Sequence, residues 1–349
     1  MRMTDIEAPG HERLVRVEDD ASGLRAFIAI HSTRLGPAAG GLRMRPYESE
    51  QAAIEDVLRL SRGMTFKNAA AGLPLGGGKA VIIGDPAADK SPELLLAFGE
   101  AVEALGGRYW TAEDMGMSPR DMEMIARRTA HVAGLAEGPH ASGDPSPVTA
   151  QGVFNAMRIA ARHRLGSGDL SGRVVAVQGL GHVGEHLCRL LHEAGARLIV
   201  TDVARPAVER AVARFGALAV SPDEIYDAPA DIFAPCAIGA TLNEATIARL
   251  KVRVVAGAAN NQLATPEDGR RLHQRGILLA PDFVANGGGI INVAAEIGRI
   301  PDREEWVAEK LAALEDTLER ILSRAEALSC SPAEVAESIV EEILSRRAA

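Results

Sequence analysis

Cysteine is scarce: the 349 residues hold three, Cys188, Cys236 and Cys330, far apart in the chain. Such a set forms neither a disulfide framework nor a metal-ligand spacing, so no metal is expected. An excess of positive charge is missing as well. With 38 Lys and Arg against 47 Asp and Glu, the formal charge is −9, which argues against nucleic acid or an anionic membrane as the main partner. No apolar run is long enough to span a bilayer, and the opening MRMTDIEAPGHERLVRVEDD is charged throughout, without the apolar segment of an export signal. A cytoplasmic protein is the expectation. Apolar material is plentiful: 47% of residues are hydrophobic, enough for sizeable cores in a chain long enough for two domains.

The stretch GLPLGGGK, from Gly72 to Lys79, sets three glycines against a lysine inside the apolar run LPLGGGKAVII. Glycines let backbone approach another group closely or take φ > 0 without steric cost. A lysine in a tight, apolar place loses hydration, which disfavours its charged form and suits it to act as a base. The competing pattern is the nucleotide phosphate loop, G-x-x-x-x-G-K-[ST]. Leu73 stands where its first glycine would fall and Ala80 where its hydroxyl would fall, so that reading is set aside.

The first half alternates strand and helix patterns, as in an open α/β sheet. LRAFIAI (24–30) reads as a strand, and the Gly40–Gly41 pair as an interruption of the next one, where backbone can meet a ligand. Residues 49–63 and 91–105 open with serine caps and carry helical apolar spacing. Lys67, Lys79 and Asp114 each fall where a regular element meets a glycine-rich or irregular segment, a usual place for displayed functional groups. Taken singly, Lys67 also fits a solvated surface and Asp114 a turn or cap.

The second half holds the most specific spacing. GRVVAVQ is a buried strand; GLGHVG follows with Gly179, Gly181 and Gly184 in G-x-G-x-x-G register; then come a helix and the strand ARLIVTD, ending at Asp202. Together these form a dinucleotide fingerprint: a tight turn, an open approach for pyrophosphate, and close helix–strand packing. An acid at position 202 can accept bonds from ribose hydroxyls and repels a 2′-phosphate, favouring NAD over NADP, although Arg205 lies nearby. A methyltransferase cofactor fold can also carry glycines after its first strand. Strand patterns at 230–236, 252–260 and 277–283 end in small or polar residues. Asn260, Asn261 and Asn286 are candidate hydrogen-bonders, and equally good turn formers. From about Glu304 the chain reads as charged helix.

With GPAAGGLRM, RGMTFKNAAAGLPLGGGKAVI, TAEDMG, SGDPSPVTAQGV, QGLGHVG, AANNQL and PDFVANGGGIINV in hand, the chain resembles the amino-acid dehydrogenases of the glutamate/leucine/phenylalanine/valine family over almost its whole length. The leucine and phenylalanine branch looks nearest. The resemblance implies two α/β domains around a cleft. Residues 1–140 would be a substrate-binding and oligomerisation domain, to which 325–349 returns, and 141–324 a Rossmann-type NAD-binding domain. It implies NAD as cofactor, an amino acid or 2-oxo acid and ammonium as small-molecule partners, and a homo-oligomer. Lys67 would bind the substrate carboxylate with the Gly40–Gly41 backbone, Lys79 would be the base that activates water, and Asp114 would shuttle protons to and from the amino group. Thr149, Asn260 and Asn286 would orient the nicotinamide and Asn261 the substrate. Gly179, Leu180, Gly181, His182, Val183, Gly184, Asp202 and Ala237 would bind the dinucleotide.

Specificity follows from two positions. Glutamate-specific members carry a lysine at the place of Ala39 and a hydroxyl at that of Val293; here both are apolar, and a buried, unpartnered carboxylate would be costly. With Ala112 as a further wall residue, the expected activity is reversible, NAD-dependent oxidative deamination of a hydrophobic L-amino acid, leucine, valine or isoleucine first. Phenylalanine and tryptophan are the alternative substrates, and a catalytically silent NAD-binding regulatory subunit is the non-enzymatic alternative.

Overall fold

The structure, a computed structural model, describes residues 1–347. It divides into two compact units. One comprises Met1–Pro145, Ile290–Lys310 and the described residues from Ile343 onward; the other comprises Ser146–Gly289 and Leu311–Glu342. No helix among the described residues is long and apolar enough to cross a membrane.

In the first unit the order is β1 (Arg2–Ile6), β2 (Arg13–Asp19), β3 (Leu24–Ser32), β4 (Ala38–Arg45), α1 (Glu50–Ala70), β5 (Gly76–Ile83), α2 (Pro92–Glu103), β6 (Tyr109–Glu113) and α3 (Pro119–Ile125). The strands form one mixed sheet in the order β1-β2-β3-β5-β4-β6. β1, β2, β3 and β5 pair antiparallel, and β4 lies parallel between β5 and β6. Side chains alternate along β3: Ala26, Ile28 and Ile30 join the core built with Leu94 and Phe98 of α2 and Met122 of α3, whereas Phe27 and Ala29 face Ala53 and Val57 of α1. This period of two sends alternate residues of each strand to opposite faces. On β5, Ala80 and Ile82 join the α2–α3 core while Val81 joins the α1 core, so Gly77 and Lys79 share the α1 face.

The helices start where serine caps predict. Ser49, Ser91 and Ser118 each accept a backbone N–H of the first turn, and Ser118 and Asp121 complete a capping box. Two expectations are corrected. The Gly40–Gly41 pair does not interrupt a strand, because β4 runs through it. Helix α1 continues to Ala70, which puts Lys67 in its last turn and not in an irregular segment, while Lys79 lies within β5.

In the second unit the order is α4 (Ser146–Leu165), β7 (Val174–Gln178), α5 (His182–Glu193), β8 (Arg197–Thr201), α6 (Arg205–Phe215), β9 (Leu218–Ala219), β10 (Ile232–Pro235), α7 (Glu244–Arg249), β11 (Val254–Val255), α8 (Pro266–Gln274), β12 (Leu278–Leu279) and α9 (Asp282–Ala285). The sheet is parallel throughout, in the order β12-β11-β10-β7-β8-β9. The chain winds one way from β7 and the other way from β10, so these neighbours form the switch point at which a doubly wound sheet binds ligands. Helices α10 (Gly288–Ile297), α11 (Arg303–Leu328) and α12 (Pro332–Arg347) complete the chain.

Close approach, not turn geometry, explains the glycines of β5. A Cβ at Gly77 would meet the Thr65 side chain and backbone of α1 and lie 2.6 Å from the Ser61 carbonyl, whereas one at Gly63, on α1, would meet nothing within 4 Å. Gly77→Ala is therefore expected to destabilise the protein by about 1–3 kcal/mol through overpacking, and Gly63→Ala to stabilise it by about 0.5–1 kcal/mol. Urea midpoints of the two variants beside wild type check both signs.

Candidate active site

In the first unit, the α1 face of the sheet brings together Lys79 of β5 and Asp114, the residue after β6. The lysine is 6% exposed, and its Nζ donates to Asp114 Oδ2 in an ion pair. Its seat is ionic where the sequence reading expected an apolar one. The other carboxylate oxygen, Oδ1, accepts the backbone N–H of Met115 at 2.7 Å. Burial opposes ionisation of Asp114, but Lys79 and Arg43 outweigh it and hold the carboxyl at about 2.

Glycine is required beside this pair. A Cβ at Gly41 would lie 2.8 Å from the Asp114 Cβ, and one at Gly40 would collide with the Gly78 carbonyl. The buried Tyr109 hydroxyl donates to the Gly40 carbonyl at 2.8 Å, and Asn68 Nδ2 of α1 donates to the Gly76 carbonyl at 2.5 Å. Both strands are thus held by side chains from their neighbours. Lys67 is half-buried on α1. Ala39, Ala112 and Val293 all belong to the first unit and are buried, at 0%, 7% and 8% exposure.

Sequence reading missed Arg43, Tyr109 and Asn68. The signal for Arg43 was present: a charged residue between Leu42 and Met44 in a strand whose neighbours read as buried. Tyr109 and Asn68 carry no such mark, because an ordinary core tyrosine and a helical asparagine look the same in sequence.

The second unit holds the glycine turn at its switch point. Gly179 has φ +99°, and a Cβ there would lie 2.8 Å from the Ala237 Cβ; a Cβ at Gly184 would strike the Gly179 carbonyl. Gly181 differs: its space is open to 4 Å. It is the N-cap of α5 and has no side chain with which to cap that helix end. Helix N-terminal N–H groups favour an anion. His182 and Val183 form the first turn of α5. Asp202 closes the turn from β8, accepting the Leu180 N–H on Oδ2 at 2.6 Å and the Ala204 N–H on Oδ1 at 2.7 Å.

The asparagines lie in the same unit. Asn286 is 5% exposed and donates through Nδ2 to the Ala258 carbonyl at 3.0 Å and to Asn260 Oδ1 at 2.9 Å; its own Oδ1 is buried without a partner. That acceptor and the open space at Gly181, the N-cap of α5, fit a dinucleotide with a carboxamide head. Asn260 and Asn261 are exposed, and Asn261 takes φ +51° with its carbonyl accepting the Ala240 N–H at 2.7 Å. Thr149, on α4, packs its backbone against Gly288: a Cβ at Gly288 would lie 3.0 Å from the Thr149 Cα. The free thiols Cys188 and Cys236 are pushed up by burial, Cys236 to about 12, and so stay protonated at neutral pH.

Comparison with known proteins follows this geometry. Residues 11–131 match the family profile described as Glu/Leu/Phe/Val dehydrogenase, dimerisation domain, and residues 202–340 match Glutamate/Leucine/Phenylalanine/Valine dehydrogenase. The chain is 50% identical to a leucine dehydrogenase of Bacillus subtilis (strain 168), covering 98% of this chain and 93% of the relative. It is 47% identical to a phenylalanine dehydrogenase of Caldalkalibacillus thermarum, covering 97% and 92%. Among solved structures, L-tryptophan dehydrogenase from Nostoc punctiforme superposes with a TM-score of 0.84 at 41% identity, covering 97% of each chain.

Acid should weaken the first unit in two stages. His31 of β3, bonded through Nδ1 to Thr65 Oγ1 at 2.8 Å, is held at about 4 by burial and by His11 and Arg62, below the ordinary 6.5. The unfolded chain therefore binds this proton first, and stability falls as pH drops from about 6.5 through about 4. Asp114, depressed from 3.8 to about 2, removes further stability below that window. Urea midpoints at pH 7 and pH 5 should show the first loss, and His31→Gln should reduce it.

Proposed function

Because the chain belongs to the Glu/Leu/Phe/Val dehydrogenase family, we propose that it catalyses the reversible, NAD-dependent oxidative deamination of a hydrophobic L-amino acid. The products are the 2-oxo acid, ammonia and NADH, and the aliphatic substrates leucine, valine and isoleucine come first. The observation that carries this reading is the buried Lys79–Asp114 pair on a glycine-lined sheet. In this reading the buried Ala39 and Val293 would leave a distal carboxylate without a partner. Leucine-type relatives often look bulkier at the place of Ala39, so this small residue keeps phenylalanine and tryptophan as the second reading. Pocket volume separates such substrates by only about 1–3 kcal/mol per methylene.

In this reading Lys67 takes the substrate carboxylate, with the Gly40–Gly41 backbone beside it. The nicotinamide of a dinucleotide held at the Gly179–Gly184 turn supplies the acceptor for the Cα hydride. Loss of that hydride leaves an iminium, to which water adds at Cα. Asp114 first takes the proton of the substrate ammonium, Lys79 takes the proton that the attacking water gives up, and Asp114 then returns its proton to the amino nitrogen. As the C–N bond breaks to release ammonia, the hydroxyl proton passes back to Asp114 and the C=O of the 2-oxo acid forms. Since these two side chains share a hydrogen bond, a proton can pass between them without reaching solvent. Asn286 offers its unpartnered Oδ1 to the carboxamide, with Thr149 and Asn260 beside it, and Asn261 orients the substrate. The description of the matched N-terminal profile as a dimerisation domain supports a homo-oligomer, and the cytoplasm is its proposed location.

Initial rates of NADH formation at alkaline pH, with leucine, valine, phenylalanine, tryptophan and glutamate side by side, test the proposal. Activity on a hydrophobic substrate and none on glutamate is expected; NADH binding without turnover on any of them would favour a silent subunit. Lys79→Ala should abolish turnover and leave NADH affinity nearly intact, since the glycine turn belongs to the other unit, and near-normal rates would remove Lys79 from its role.

Asp202 has two duties here, repelling a 2′-phosphate and holding the Leu180 N–H. Asp202→Ala should therefore weaken NADH binding about tenfold, as expected for a lost charged hydrogen bond, and also narrow the preference for NAD over NADP. Fluorescence titration and the ratio of kcat/KM for the two cofactors read the two effects separately. An unchanged ratio would assign cofactor choice to another group.

A further inference from the structure

Arg43 has no part in the roles above, yet it is the second cation on the Asp114 carboxylate. It projects from β4 on the α1 face with its side chain 11% exposed, Nη2 3.4 Å from Asp114 Oδ2 and Nη1 3.1 Å from Asp56 Oδ2. Asp56, on α1, also accepts the Tyr47 hydroxyl at 2.8 Å and Arg59 Nη2 at 2.9 Å. The guanidinium is therefore clamped between two carboxylates, one facing Lys79 and one fixed from behind. Burying such a group is costly unless both partners are kept, which makes an incidental surface pair a poor description of it.

We infer that Arg43, anchored through Asp56, is a positioning residue that keeps Asp114 ionised and aimed at Lys79 while Lys79 carries no charge. Asp114 Oδ2 receives both Lys79 and Arg43. Once Lys79 has given up its proton, one of these two cations is gone. A largely buried carboxylate with no cation left would hold the next proton it received. With Arg43 still in place it stays ionised, and a proton arriving from the amino group is passed on. Arg43 from β4 and the Met115 N–H meet Asp114, while Asp56 and Arg59 of α1 and Tyr47 ahead of it stand behind Arg43; Tyr109 of β6 packs in the α2–α3 core on the other face of the sheet.

The inference rests on the dehydrogenase reading, and wild-type protein assayed alongside separates the two. A wild type with no amino-acid-dependent NADH formation overturns both, whereas an active wild type leaves the variants to judge Arg43. Arg43→Gln, Arg43→Lys and Asp56→Asn are compared by kcat and kcat/KM against pH, with circular dichroism establishing that each is folded. Arg43→Gln should lower kcat about 10- to 100-fold. It should also move the acid limb of kcat/KM up by about one pH unit, because the remaining Lys79–Asp114 pair holds its proton more tightly, and change the amino-acid KM by less than about threefold. Arg43→Lys should restore the limb, and Asp56→Asn should shift it the same way by less. An unmoved limb in Arg43→Gln and Asp56→Asn, or a loss confined to KM, would make Arg43 a structural residue and overturn the inference.

Discussion

The close approach of β4 and β5 to each other and to the elements on both faces of their sheet is the constraint on which the rest of the first unit depends. Side chains at positions 40, 41, 77 and 78 would strike a neighbouring carbonyl, the Asp114 Cβ, α1 or the Tyr109 ring, so those positions must be glycine. At position 41 the missing side chain leaves the room in which Asp114 meets Lys79. Once they meet, burial makes the pairing compulsory, since an isolated ammonium or carboxylate there would be far costlier than the pair. Arg43 and Asp56 extend the same logic outward. Each buried charge has a partner, and the series ends at the more exposed Arg59.

The second unit solves a different problem with the same residue type. Gly179 and Gly184 are glycines because protein atoms crowd them, while Gly181 faces open space. Two of the three serve the fold of the turn, and the third leaves open space at the N-cap of α5. Asp202 joins these duties. Its carboxylate fixes the turn through the Leu180 N–H, and in the proposed function it also meets the ribose. On that proposal, a substitution there acts on turn geometry and cofactor choice together.

Local signals in the chain were strong for much of this. Serine caps ahead of α1, α2 and α3, the glycine spacing after β7 and the acid after β8 are short-range features, each tied to a backbone need within a few residues. The N-terminal strands β1 and β2 left little trace, because their alternation is diluted by charged residues on the exposed face of a sheet edge. Likewise β11 and β12 are two residues long within apolar stretches that read as full strands. Pairing with a neighbour decides where such strands end, and a neighbour distant in sequence cannot be read locally.

By itself, then, the sequence determined the residue types that the proposed chemistry draws on: a lysine behind three glycines, a lone acid after a strand, a fingerprint turn ending in a second acid, and apolar residues at the positions that the family resemblance assigns to side-chain specificity. Tertiary structure alone decided which of them touch. It seated Lys79 within a strand against a carboxylate and not in an apolar loop, ran β4 straight through Gly40–Gly41, and set Arg43 between Asp56 and Asp114. The reason is physical: burial and Coulomb terms depend on distance through space, and residues 43, 56, 79 and 114 are brought within reach only when β4, α1, β5 and β6 share one face of one sheet.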